Sequence, residues 1–132
     1  MFPDIPSLRT WIVEAKKNMS AEMGQSIPGV SEKDHQVTMR DGESITCRVY
    51  TSEKEGGALG VIIHGGGWCI GGLENEELLC RLCCSKFGMV MVNMDYRLAP
   101  EHKFPVPVYD CYDATKWVRF APRYLPTPAA NM

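Results

Sequence analysis

Three consecutive glycines, Gly65-Gly66-Gly67, stand between His64 and Trp68 directly behind the apolar run Leu59–Ile63. An apolar run this short and without alternation predicts a buried strand covered on both faces. Backbone amides beyond such a strand converge on one point only where no Cβ obstructs the approach and φ is free to turn positive. Glycine meets both conditions. That is the geometry of an oxyanion hole. Phosphate-cradling loops also use glycines, but no register of residues 65–72 fits G-x-G-x-x-G, and no lysine follows the glycines as a P-loop requires. A plain tight turn is the remaining alternative.

The rest of the chain alternates strand and helix patterns. Leu8, Trp11, Ile12, Ala15, Met19 and Met23 recur at three-to-four spacing, which predicts an amphipathic helix opening near Pro6-Ser7 and closing at Gly24. Residues 25–33 read as a loop, 35–39 and 44–50 as strands, and Asp41-Gly42 as the hairpin turn between them. Residues 74–86 carry a helix pattern with Leu78, Leu79, Leu82 and Cys83 on one face, glutamates in the first turn, and Gly88 past the end. A second buried strand at 89–95 makes strand, helix and strand a parallel crossover unit. Residues 107–120 predict a last helix with Val108, Cys111, Tyr112, Thr115 and Val118 on one side. Pro122, Pro126 and Pro128 make 121–132 a proline-rich tail.

Behind the second strand the chain reads Asp95-Tyr96-Arg97-Leu98-Ala99-Pro100-Glu101-His102-Lys103-Phe104-Pro105. Taken with His64-Gly65-Gly66-Gly67-Trp68, this block resembles the hormone-sensitive-lipase branch of the α/β-hydrolases, from about the first strand to Val118. The resemblance implies an α/β fold of which these residues form the amino-terminal portion: an antiparallel hairpin leading into a parallel strand-helix-strand unit. It divides the chain into a cap-like helix and loop at 1–30, a partial hydrolase core at 31–120 and the tail at 121–132. It implies hydrolysis of carboxylic esters by a serine nucleophile, a histidine base and an acidic orienter, with no cofactor. In that chemistry the amides of Gly65 and Gly66 donate to the tetrahedral oxyanion. His64 and Gly67 shape the loop, and Trp68 lines the pocket or packs behind it. Asp95, Tyr96, Arg97, Pro100 and Glu101 are structural in the family, fixing the loop through ion pairs, hydrogen bonds and stiff proline geometry. A glycosidase reading of paired carboxylates at Asp95 and Glu101 is an alternative.

The family attacks with a serine in a G-x-S-x-G elbow. Ser26, Ser31 and Ser44 each have the first glycine and miss the second, and no serine of these 132 residues occupies that frame. Nucleophile, acid and catalytic histidine are therefore expected to be missing, and the polypeptide to be inactive alone. Two other classes stay open: a noncatalytic small-molecule-binding module, as in the gibberellin receptors that resemble the same family, and a truncated product without independent function. The expected partner is a small hydrophobic ester or acid. In the family the nucleophile strand lies beside Leu59–Ile63, so that edge is expected to be unpaired and to drive self-association.

Charge and cysteine usage narrow the remaining classes. A formal charge of -2, from 14 basic and 16 acidic residues interspersed, offers no stripe for nucleic acid. No apolar run approaches the roughly 18 residues of a membrane span. Residues 1–17 have no continuous apolar stretch of the secretion-signal kind, which predicts a cytoplasmic protein with Cys47, Cys69, Cys80, Cys83, Cys84 and Cys111 reduced. Cys80-x-x-Cys83-Cys84 lacks the second knuckle of a zinc site, so no metal is expected.

Overall fold

The structure, a computed structural model, describes residues 4–23, 26–54 and 58–120, with 17–23 described by their backbone alone. The elements follow in the order α1 (Ile5–Met23), β1 (Val30–Thr38), β2 (Ser44–Ser52), β3 (Leu59–Ile63), a 3-10 turn at Leu73–Asn75, α2 (Glu77–Phe87), β4 (Val90–Met94) and α3 (Val106–Phe120). The strands form one mixed sheet in the order β1-β2-β4-β3. β1 and β2 make the antiparallel hairpin, β2 pairs antiparallel with β4, and β3 runs parallel to β4 with α2 as the crossover. The α/β class, the hairpin and the parallel strand-helix-strand unit are those the sequence predicts.

The hairpin is longer than its apolar alternation indicates. β1 starts at Val30, within the stretch 25–33 that reads as a loop, because the ladder with β2 continues residue by residue to Val30 opposite Ser52. Polar side chains hide this end of the strand from a hydrophobicity pattern. They also hold it, since Glu32 pairs with Arg81 at 2.5 Å and Asp34 with Arg48 at 2.6 Å.

Each face of the sheet carries one helix. On one face Val37, Ile45, Cys47, Val49, Val92 and Met94 pack against Cys111, Ala114 and Val118 of α3. On the other, Tyr50 and Met91 pack against Cys80 and Cys84 of α2. β4 lies between β2 and β3 and is buried throughout.

α2 turns a different face inward from the one its leucines predict, and α3 keeps Cys111 and Val118 of its expected face but not the rest. α2 buries Cys80, Arg81 and Cys84, while Leu78 and Leu79 are 40% and 48% exposed. Small thiols one turn apart allow a close approach to the sheet, and Arg81 bridges to Glu32 of the hairpin and Glu77 of its own helix. Gly88 ends α2 as expected, with φ 64° and its N–H donating to the Cys84 carbonyl at 2.9 Å. α3 buries Pro107, Asp110, Cys111, Ala114 and Val118 and leaves Val108, Tyr112 and Thr115 exposed. An ion pair to Asp110, described below, sets that rotation.

β3 departs from the expectation of two covered faces. Ile62 packs toward α2, but Leu59, Val61 and Ile63 on the α3 side remain 39%, 38% and 45% exposed. α3 packs over β4 and stops short of β3. Among the described residues β3 has β4 as its sole neighbour, so its other edge is open. No described helix is long and apolar enough to cross a membrane. The tail at 121–132 lies outside the described residues.

Candidate active site

Past Ile63 the chain turns His64 inward, leaving it 2% exposed. A carbonyl can only accept, so Nδ1 carries the proton in its 2.9 Å hydrogen bond to the Gly65 carbonyl. The imidazole stacks on Tyr96 with ring centroids 4.1 Å apart and planes 12° from parallel. The Tyr96 hydroxyl donates to the His64 carbonyl at 2.8 Å, fixing backbone and ring together. His64 Nε2 is buried with no hydrogen-bond partner among the described residues. A general base must reach its substrate, and this ring is sealed on one nitrogen and committed on the other.

The backbone then passes through left-handed conformations at Gly66 (φ 132°), Gly67 (φ 59°), Trp68 (φ 65°) and Gly71 (φ 108°). The Gly66 carbonyl accepts from both Cys69 and Ile70 N–H at 3.1 Å. A Cβ on Gly66 would collide with the Ile70 carbonyl oxygen, and one on Gly71 with the His64 ring. Trp68 holds a left-handed backbone despite its Cβ, a strain of about 1–3 kcal/mol. Its indole meets Tyr96 edge-on at 5.4 Å and is 45% exposed.

This winding leaves the loop's first amides unclaimed. Among the described residues, none of the N–H groups of Gly65, Gly66, Gly67 and Trp68 donates to a backbone carbonyl. Gly65, Gly67 and Trp68 are exposed and Gly66 is half-buried. They lie at the carboxyl end of a parallel strand, where open α/β sheets bind ligands. Four consecutive donors on a glycine-rich turn can receive an oxyanion or a carboxylate.

The second block backs this loop. Asp95 follows β4, its N–H donating to the Thr46 carbonyl at 2.9 Å. Its residue surface is exposed overall, yet the protein around the carboxyl raises its pKa through lost solvation, which the nearby His64 opposes. Tyr96 is the hub already described. Arg97 does not meet Asp95. It makes a bidentate pair with buried Asp110 on α3, at 2.8 and 2.6 Å, and reaches Asp41 of the hairpin turn at 2.7 Å. Ala99 N–H donates to the Trp68 carbonyl at 2.8 Å, joining the two blocks directly. Pro100 and Pro105 follow cis peptide bonds. Glu101 pairs with Arg9 of α1 at 2.7 Å.

The structure thus gathers His64, Trp68 and Tyr96 into one aromatic stack beneath the glycines, while Arg97 and Glu101 act outward as tethers. Sequence reasoning missed Arg9, Asp41 and Asp110. Asp110 sits at helical spacing from Cys111, Ala114 and Val118, a signal available had a carboxylate been allowed on the inward face. For Arg9 no local signal exists, because its partners are remote in sequence. A cavity of about 400 Å³ lies beside the second block, lined by Arg9, Thr46, Asp95, Tyr96 and Arg97 among others. None of residues 64–71 lines it, so it is separate from the open amides. Among the described residues no group of three or more His, Cys, Asp or Glu could hold a metal ion.

With this geometry in view, the comparisons with known proteins converge. A family model described as the α/β hydrolase fold matches residues 60–124. An AB hydrolase superfamily protein of Schizosaccharomyces pombe is 36% identical over 118 residues, covering 87% of this chain and 35% of that protein. Arylacetamide deacetylase of Oryctolagus cuniculus is 39% identical over 98 residues, covering 70% of this chain and 25% of its own length. The crystal structure of a hyperthermophilic esterase from Pyrobaculum calidifontis superimposes with a TM-score of 0.81 and 33% identity, over 96% of this chain and 41% of that one. The chain belongs to the α/β-hydrolase family of esterases and lipases. It spans 35% and 25% of the length of the first two relatives.

Proposed function

We propose that these residues form the oxyanion-stabilising half of a carboxylic ester hydrolase, with Gly65 and Gly66 N–H as the donors. The observation that carries the reading is the set of unclaimed amides at residues 65–68, wound over the buried His64–Tyr96 stack. In acyl transfer, negative charge develops on the carbonyl oxygen as the tetrahedral intermediate forms. Donors already aimed at that oxygen stabilise it without reorganising, and one such donor is worth about 2.7–4 kcal/mol. Half-exposed Trp68 is placed to contact the acyl or alkoxy part of a small hydrophobic ester. No residue of the 132 stands in a G-x-S-x-G frame, so the nucleophile is not supplied from within them. The polypeptide alone does not turn over esters, and it associates through the open edge of β3. A cytoplasmic setting agrees with its free cysteines.

Two assays test this. Purified chain should hydrolyse a nitrophenyl ester no faster than background; rapid turnover would overturn the division of labour. Residues 59–105 grafted into the matching segment of the Pyrobaculum calidifontis esterase should keep hydrolysis, and Gly66→Ala in that graft should lower kcat by roughly 100-fold or more. Full activity in the Gly66→Ala graft would remove the oxyanion assignment. Saturable binding of a hydrophobic acid by the chain, with an inactive graft, would instead mark a binding module.

A further inference from the structure

Among positions 4–16 no residue of α1 is fully buried, and Ile5, Leu8, Ile12 and Ala15 are only half-buried. Polar contacts add to this partial packing. Lys16 reaches Glu74 at 3.5 Å and the Asn75 side chain beside the 3-10 turn. Arg9 makes the denser set: Nε donates to the Cys69 carbonyl at 2.5 Å, Nη2 to the Ala99 carbonyl, and Nη1 to Glu101 at 2.7 Å. All three nitrogens of one guanidinium are engaged at a single seam.

That seam is where the glycine loop meets the second block. The Trp68 carbonyl accepts from Ala99 N–H at 2.8 Å, so residues 68–69 and 99 are already neighbours, and Arg9 joins the same two strands of chain from outside. From there the geometry runs straight to the open amides. The peptide whose carbonyl Arg9 holds also carries the Ile70 N–H, which donates to the Gly66 carbonyl at 3.1 Å. Turning that peptide therefore turns the one that carries the Gly67 N–H. A planar fork suits this contact, because it can serve two carbonyls and a carboxylate at once; a lysine ammonium presents its donors from a single point.

We propose that Arg9 is a positioning residue for the glycine loop: through it α1 fixes the 68–69 limb against the turn at 98–101 and sets the direction of the amides at 65–67. The catalytic meaning of that direction rests on the oxyanion reading above, while the clamp itself does not. α1 is then part of the site's machinery, and undocking it loosens the loop without unfolding the sheet.

Hydrogen exchange on the full 132-residue chain tests the clamp without substrate. Arg9→Ala should speed exchange of the Cys69, Ile70 and Ala99 amides by roughly tenfold or more, the change expected from losing charge-assisted hydrogen bonds, and leave β2 and β4 protected. Arg9→Lys should recover part of that protection. Lys16→Ala, which cuts the other α1 tether, should leave residues 69, 70 and 99 as in the unmodified chain. Exchange at those amides within twofold of the unmodified chain in Arg9→Ala would overturn the proposal, as would equal acceleration across the whole sheet. Should Arg9→Ala not fold, Glu101→Ala removes a single partner and should raise exchange severalfold at the same amides; no change there would also overturn it. If the clamp holds and the Gly66→Ala graft stays fully active, the oxyanion reading fails and the clamp stands.

Discussion

Asp110 shows how one residue can set the rotation of a helix. Its side chain is fully buried and accepts a bidentate pair from the Arg97 guanidinium, while the Arg97 backbone N–H also donates to it at 3.0 Å. Breaking a buried ion pair leaves an uncompensated charge, so Asp110→Asn should cost about 3–5 kcal/mol in chemical denaturation. The residue was illegible in the sequence because periodicity assigns carboxylates outward, and its burial is decided by an arginine in another element. The buried cysteines Cys47, Cys80, Cys84 and Cys111 carry a pH consequence. Burial pushes the Cys47 and Cys80 thiols up to about 12 and those of Cys84 and Cys111 to about 11. An acid whose pKa is raised by folding favours the fold only while it is protonated in both states. That stability is complete below the ordinary thiol value of about 8.5 and is lost as pH rises toward 11–12, by up to about 1.4 kcal/mol per pH unit for each thiol. The melting temperature of reduced protein should therefore fall steadily from pH 8 to pH 10; a flat profile would contradict the burial of these groups.

At the scale of elements, β3 separates what a local pattern reveals from what it cannot. Its existence and its parallel pairing with β4 were legible, because apolar runs bounded by glycine and polar turns identify strands whatever surrounds them. Its exposure was not. Covered faces depend on neighbours contributed by distant parts of a chain, and α3 reaches only as far as β4. Leu59, Val61 and Ile63 thus present an apolar stripe beside unpaired backbone groups, the combination that promotes edge-to-edge association. Val61→Lys places a charge in that stripe without altering the face toward α2. It should shift the chain toward monomer in sedimentation velocity and leave its unfolding free energy within about 1 kcal/mol of the original. An unchanged distribution would move the association elsewhere. The helices teach the same lesson from their inward faces, where Arg81 and Asp110 are buried although the apolar stripes did not include them.

Across the whole molecule, the blocks at 64–68 and 95–101 proved to be one unit, joined by the Tyr96 hydroxyl, the Ala99 amide and the Arg9 fork. The motifs were legible because glycine, tyrosine and proline are demanded by geometry at single positions. The bridge from α1 was not, since nothing local to Arg9 announces its partners. The sheet order β1-β2-β4-β3 has a last consequence, for the order of assembly. Synthesis delivers β1, β2 and β3 before β4, yet β4 is the strand that lies between β2 and β3. The hairpin can close as soon as Ser52 has been made. β3 then waits, because its only neighbour among the described residues begins at Val90, and the glycines behind it wait for the ring of Tyr96. A nascent chain halted between Phe87 and Val90 would have both strands of the hairpin but neither the partner of β3 nor the ring that backs the glycines. The site therefore has all its parts only after β4 and Tyr96 have been made.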